Sequence, residues 1–232
     1  MFDAESVPRA FQDALAFVLP VDCAGCSTPD TALCETCRAA LAPRPRALET
    51  DVDAPVYAGL PFDGVAARVM RGLKEEGRTA LARALAPALA AALARLPGDP
   101  DVPPWIVPVP TSRASMRRRG YRVADLIARR AGFVPRHPLR LARQPADQRG
   151  LTADERRVNV VGSMAARRAA GRRVVVIDDV STTGATLGEA VRALREAGAD
   201  VVGGAVVAAT PLRAGGGASF GGPWGEASET HG

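Results

Sequence analysis

Two adjacent acids, Asp178 and Asp179, lead into Val180-Ser181-Thr182-Thr183-Gly184-Ala185-Thr186, the turn of this 232-residue chain best suited to holding an anion. Ahead of them Val174-Val175-Val176-Ile177 is an apolar run of strand length, of the kind buried on both faces of a parallel sheet. The acids then fall at the strand's carboxyl end, the edge where open α/β sheets bind ligands. Behind them Leu187, Ala190, Val191 and Leu194 recur at helical spacing until Gly198. A strand, a tight polar turn and a helix start make an anion site, because free backbone N–H groups and the helix dipole point into the turn. Thr182, Thr183 and Thr186 add hydroxyl donors, and Gly184 lets the backbone come close. The plainer alternative is an ordinary strand-to-helix turn, with Thr183 or Thr186 as N-cap and the acids solvated. Adjacent carboxylates repel, however, and need a cation or donors to be tolerated. The turn is not a Walker loop, since no Lys follows the glycine, and it is not a GxGxxG dinucleotide turn.

Two further groups carry chemistry. Cys23-x2-Cys26 and Cys34-x2-Cys37 contain all four cysteines and supply four thiolates for a tetrahedral metal. Two disulfides or a redox pair are the alternatives; the paired spacing favours zinc, in a structural role because four thiolates leave no open coordination position. Arg113, Arg117, Arg118 and Arg119 crowd a loop over 111–120 that follows an apolar strand. They form a solvated basic face or a site for anions. Lys74, the single lysine, lies beside the apolar face of a helix, where a lysine is ordinarily solvated.

Positioning these groups requires several further elements. Val56–Leu60 reads as a strand, and Asp63 caps a helix in which Val65, Val69 and Leu73 share a face before Gly77 stops it. A second buried strand spans 105–110, and a helix over 121–131 turns Val123, Leu126 and Ile127 inward. Leu139-Arg140-Leu141 is a short strand, 142–150 has the composition of a mobile loop, and Thr152-x-x-Glu155 is a capping box that restarts a helix. A last strand covers 201–209. A short amphipathic helix ending at Pro20 precedes the cysteines, 39–55 reads as a linker, and the glycine-rich tail from 211 reads as disordered. Thirty basic residues against 25 acidic ones give a net charge of +5, compatible with phosphates or nucleic acid without demanding either. The first residues lack a basic signal region, and Arg83, Pro87 and Arg95 interrupt the alanine-leucine stretch over 79–96. The expectation is a cytoplasmic protein with no membrane insertion.

Asp178-Asp179 with Thr182-Thr183-Gly184-Ala185-Thr186 resembles the phosphoribosyl pyrophosphate (PRPP) loop of type I phosphoribosyltransferases. The four cysteines, Leu73-Lys74-x2-Gly77, Pro108-Val109-Pro110 leading to Arg119-Gly120-Tyr121, and Gln148-x2-Leu151-x4-Arg156-x2-Asn159 extend the likeness. From Cys23 to about Ala209 the chain is similar to the ComF family of competence proteins. It departs from that pattern at Arg122-Val123, where the family usually has Asn-Gln. The resemblance implies an α/β fold: a type I phosphoribosyltransferase-like parallel-sheet domain over 51–210, preceded in 1–50 by a small four-cysteine zinc knuckle with its linker. It implies that Asp178 and Asp179 are the catalytic carboxylates, holding the ribose hydroxyls and, directly or through water, Mg²⁺. Residues 180–186 would wrap the 5′-phosphate. Lys74, Arg113, Arg117, Arg118 and Arg119 would take the pyrophosphate or another anion, and Gln148, Arg156 and Asn159 would sit on a closing loop. Two functions follow. One is transfer of a phosphoribosyl group from PRPP to an undetermined acceptor, linked to uptake or processing of single-stranded DNA in natural transformation alongside competence machinery proteins. The other is a noncatalytic PRPP- or DNA-binding accessory protein on the same fold.

Overall fold

The computed structural model describes residues 21–98, 102–142 and 160–210. The helix expected before Pro20, the loop residues Gln148, Arg156 and Asn159, the helix expected from Thr152 and the tail from 211 lie outside them. The centre is a five-stranded sheet built from β1 (Arg46–Ala47), β2 (Val56–Pro61), β3 (Trp105–Pro108), β6 (Arg173–Ser181) and β7 (Asp200–Ala209). Its order is β1-β2-β7-β6-β3, with β1 antiparallel and the other four parallel. A separate antiparallel pair, β4 (Leu139–Leu141) and β5 (Met164–Ala166), stands beside it.

Strand β6 is apolar on both faces because both are covered. Val175 and Ile177 join the core formed with α2 (Gly64–Glu75), α3 (Ala82–Leu93) and α5 (Val123–Arg130), whereas Val174 and Val176 pack with α6 (Ala185–Glu196) and the β4–β5 pair. Neither face offers water to a polar side chain, so the run carries none. Pro87 sits inside α3, a helix of 12 residues, and among the described residues no helix is long and apolar enough to cross a membrane.

Three readings of local structure change. Strand β6 runs to Ser181, so the acids lie within the strand's last residues and not beyond it. The segment over 39–55, read as a linker, is partly sheet: Arg46 and Ala47 pair with Ala58 and Tyr57, and Arg44 and Leu48 donate to Gly59 and Val56. The arginine loop is a short helix, α4 (Arg113–Arg119). Ser112 caps it by accepting from the Ser115 N–H at 3.1 Å, and Gly120 stops it in the left-handed region at φ 77°. A remaining short helix, α1 (Glu35–Ala40), carries Cys37.

Candidate functional site

Beyond Ile177 strand β6 outlasts its neighbour. β3 ends opposite Ile177 at Pro108, the Val109 N–H donates to the Ile177 carbonyl at 2.9 Å, and the chain then leaves for α4. β7 stays paired with β6 as far as Ser181. The connection after β6 runs through α6 to β7 on one side. The connection after β3 returns on the other, where Pro135 bridges Ile106. Chain direction diverges at this point, and open parallel sheets form a crevice there. The acids occupy it. Asp178 Oδ1 accepts the Asp179 N–H at 2.8 Å, so a carboxylate oxygen serves the backbone donor at the first position where β3 is missing.

The two acids point to opposite faces of the strand and meet different partners. On the α2 side Lys74 Nζ lies 2.6 Å from Asp179 Oδ1, the two side chains being 25% and 17% exposed. The Tyr121 hydroxyl donates to the Leu73 carbonyl next to Lys74 and ties the end of α2 to the start of α5. On the α6 side Asp178 has no such cation among the described residues. Burial pushes its carboxyl up to about 7, and the charge on Asp179 adds to the rise; Lys74 and the Asp179 N–H offset only part of it. Among the described residues the pair therefore has one cation, Lys74, for two carboxyl groups.

The turn after the acids follows the sequence reading, with one change of cap. Gly184 is the N-cap of α6 at φ 77° and makes no side-chain cap bond, so neither Thr183 nor Thr186 holds that position. Thr183 Oγ1 instead accepts from the Ala185 N–H at 3.4 Å. A Cβ at Gly184 would stand 3.0 Å from Thr50 Cγ2, so glycine is required there by the left-handed backbone and by the 50–52 segment packed on it. A cavity of about 220 Å³ opens beside this turn between Asp51, Val52, Val161, Gly188 and residues 183–185. Ser181 is buried, Thr182 is exposed, and Val180, Thr183 and Thr186 are half-buried.

Arg113, Arg117 and Arg118 are exposed on α4, and Arg119 is half-buried with its Nε lacking a hydrogen-bond partner among the described residues. Since Val109 touches Ile177, this helix begins at the same sheet edge as the acids. Lys74 belongs directly to the acid pair, a meeting across 105 residues. Gln148, Arg156 and Asn159 lie outside the described residues.

The four cysteine sulfurs lie within 4.8 Å of one another, and Cys26 Sγ is 3.6 Å from Cys34 Sγ. Tetrahedral zinc with Zn–S bonds of about 2.3 Å needs sulfurs about 3.8 Å apart, so the donor set fits that ion. Burial opposes ionisation of Cys23, yet the Cys34 and Gly25 N–H groups that donate to its sulfur bring the thiol down to about 6. A Cβ at Gly25 would fall 2.4 Å from Cys37 Sγ, which fixes glycine inside the knuckle. The knuckle is continuous with the main core: Cys23, Leu33, Cys37 and Leu41 are buried with residues of α2. Arg68 of α2 donates to the Gly25 carbonyl, and Arg78 donates to Asp22 at 2.7 Å and Ala32 at 2.9 Å.

Sequence reasoning missed Glu189. Its side chain is 2% exposed, accepts from Arg192 at 2.7 and 2.8 Å, and accepts the Met164 N–H at 2.8 Å; Arg192 donates to the Met164 carbonyl at 3.2 Å. One acid–base pair thus satisfies both backbone groups at the start of β5. The i, i+3 spacing of Glu189 and Arg192 was the available signal, but that spacing is equally common on solvated helix faces.

Comparison with known proteins agrees with this geometry. Residues 114–215 match the phosphoribosyl transferase domain family. Over 110 residues the chain is 33% identical to competence protein F of Haemophilus influenzae (strain ATCC 51907 / DSM 11121 / KW20 / Rd), covering 44% of this chain and 48% of that protein. The chain therefore spans about half the length of the curated relative it matches. On the matched domain and the relative, the chain is ComF-like over about half its length and carries a phosphoribosyl transferase domain over 114–215.

Proposed function

We propose that the sheet edge at Asp178–Asp179 binds PRPP together with Mg²⁺. The observation that carries this reading is an acid pair at a strand end, short of positive charge and followed at once by a glycine-capped helix start. The carboxylates accept hydrogen bonds from two ribose hydroxyls, and the cation borne by the pyrophosphate offsets their charge. Backbone N–H groups and hydroxyls over 180–186 take the 5′-phosphate. Arg113, Arg117, Arg118 and Arg119 receive the pyrophosphate, with Lys74 paired to Asp179 beside it, and Gln148, Arg156 and Asn159 close over the ligand. As the pyrophosphate departs, the same carboxylates stabilise the positive charge that grows on the sugar. The divisions of the chain are 1–50 for the zinc module with the linker that adds β1 to the sheet, 51–210 for the phosphoribosyltransferase domain and 211–232 for the tail. The cysteines hold one structural zinc, which metal analysis of the purified protein should find at one equivalent. The biological setting is handling of single-stranded DNA during transformation, with competence machinery proteins as partners.

Calorimetry with PRPP and Mg²⁺, and in parallel with ribose 5-phosphate, tests the site. Both should bind, and replacing the four α4 arginines by Ala should weaken PRPP selectively, because it alone carries pyrophosphate. Folded, zinc-loaded protein that binds neither ligand at millimolar concentration would refute the assignment. Pyrophosphate release in the presence of single-stranded DNA or small acceptors separates turnover from binding alone.

A further inference from the structure

Helix α2 joins the four-cysteine knuckle to the acid pair, and it meets the knuckle in two different ways. Near its start the contact is apolar: a Cβ at Gly25 would lie 3.1 Å from Val65 Cγ1, and Cys23, Leu33 and Cys37 are buried with Val69 and Leu73. Further along, guanidinium groups make the contact. Arg68 donates to the Gly25 carbonyl, and Arg78, just past the helix, donates through Nη2 to the carbonyls of Asp22 at 2.7 Å and Ala32 at 2.9 Å. A recess of about 630 Å³ opens between knuckle and helix with both arginines in its wall, so polar contacts rather than packed side chains join the two there. Asp22, Gly25 and Ala32 each stand within two residues of a cysteine.

These three carbonyls are in place only while the knuckle is folded. A segment as short as 21–41 cannot build a core of its own, and a four-thiolate metal site supplies its folding energy. Within it the Ala24 N–H donates to Ala32 at 3.1 Å and the Thr31 N–H to Val21 at 3.0 Å, so the turns around the cysteines aim the acceptors. Arg78 is aimed by the helix end, since its own N–H donates to the Gly72 carbonyl at 3.2 Å after Gly77 reverses the chain at φ 70°. Glu76 reaches Arg78 only at 3.8 Å, outside hydrogen-bond range, so the knuckle carbonyls are the stronger hold. Lys74 lies on the turn between these anchors, next to Leu73, whose carbonyl accepts from Tyr121. A lysine amine sits on a long, freely rotating stem and keeps to one carboxylate only where its own backbone is fixed.

We propose that Arg78 is a positioning residue for the acid pair: by clasping the metal-folded knuckle it fixes the last turn of α2 and keeps Lys74 on Asp179, which links metal occupancy of the four cysteines to the sheet edge. The link passes through one rigid element, with the knuckle on one side of its last turn and the Lys74–Asp179 pair beyond it. Such a link runs both ways, so a knuckle that steadies Lys74 is itself steadied by the ion pair. The competing account is that Tyr121 and the buried face of α2 hold the helix without reference to the metal; loss of the Arg78 guanidinium would then leave Lys74 where it is. The inference rests on the proposed function only in giving the acid pair a ligand, because the coupling itself joins groups of the free protein.

Lys74 is the single lysine of the chain, so its amine can be followed directly. The test times acylation of Lys74 by mass spectrometry in full-length zinc-loaded wild type and in Arg78→Met, which keeps an apolar stem and loses the guanidinium. Arg78→Met should retain one equivalent of zinc and acylate about two- to five-fold faster, the range that a partly exposed ion pair spans. Asp179→Asn sets the upper limit of that rate. PRPP with Mg²⁺ should bind Arg78→Met about two- to five-fold more weakly, and Arg78→Lys, still able to reach one carbonyl, should recover part of the loss. In the other direction Lys74→Met should give up zinc to a chelator about two- to five-fold faster than wild type, although it touches no cysteine. Unchanged acylation in zinc-loaded Arg78→Met overturns the proposal; if that variant fails to hold zinc, unchanged zinc release from Lys74→Met overturns it instead. Wild-type protein that shows both couplings but binds no PRPP would sink the sheet-edge assignment and leave this one standing, and PRPP binding without either coupling would do the reverse.

Discussion

The Asp178–Asp179 pair and the Glu189–Arg192 pair are both partly withdrawn from water, and they are resolved in opposite ways. Glu189 is enclosed and fully answered. Burial opposes its charge, but bonds from Arg192 and the Met164 N–H win and leave the carboxyl below its ordinary value. Asp178 is also withdrawn from water but poorly answered among the described residues, and its carboxyl is pushed up to about 7. A buried charge with every partner in place serves the fold, whereas one left short serves a ligand that supplies the rest.

Breaking the satisfied pair should have the largest effect. Arg192→Ala strands the Glu189 carboxylate and frees the Met164 carbonyl, and should cost about 3–5 kcal/mol of stability in a denaturant titration. Arg192→Leu with Glu189→Leu should recover much of that loss, because the buried charge goes with its partner.

Asp178→Asn should separate stability from binding. The free protein should be at least as stable as wild type, since the repulsion from Asp179 is gone and an amide oxygen still accepts the Asp179 N–H. PRPP affinity should fall about ten- to a hundred-fold, corresponding to the loss of about 1.5–3 kcal/mol in a charged hydrogen bond. A variant that is both destabilised and competent to bind would place Asp178 with Glu189 as a structural acid.

Lys74→Met should weaken PRPP by a smaller factor, about tenfold, because it acts through Asp179 and is partly exposed to solvent. The double variant with Asp179→Asn should lose less than the sum of the two changes if the pair works as a unit.

Acidity should give the smallest and most diagnostic effect. The folded Asp178 carboxyl titrates near 7, above its unfolded value of 3.8, so its contribution favours the folded state at low pH and is lost as pH rises through 7. Glu189 is depressed below 4.5, so its contribution is present above 4.5 and is lost as pH falls through its folded value. Stability against pH in wild type and Asp178→Asn should therefore differ in slope between about pH 5 and 7 and run parallel below pH 4. Matching slopes throughout would mean that Asp178 is not held protonated.

The legible parts of this architecture are those that local pattern determines. Four consecutive aliphatic residues mark the central strand, and the glycine after the threonines marks the helix start. What escapes depends on distance. The two residues of β1 have no strand pattern of their own and are made into one by β2, and Lys74 meets Asp179 from 105 residues away. Helix α4 lacks apolar periodicity because none of its residues is buried, although Ser112 and Gly120 bracket it as caps do. The cysteine module reads as a separate unit because the spacing of its ligands says nothing about Leu33 and Leu41, which join it to the core on α2.

The short β1 strand also has a bearing on how copies of this chain treat one another. A parallel sheet with bare outer strands offers unpaired N–H and C=O groups to any neighbouring molecule, the route by which sheets grow into aggregates. Here both flanks are partly covered by the chain itself. Residues 44–48 cover part of β2 and the 135–136 segment part of β3, so among the described residues neither outer strand of the parallel sheet offers its whole length to a second molecule. Both closures fall in stretches of proline and arginine, Pro43-Arg44-Pro45-Arg46 and Pro135-Arg136-His137-Pro138, residues that lack a donor or carry repelling charge. Protection against edge-to-edge pairing thus falls to a few residues that add little to the core.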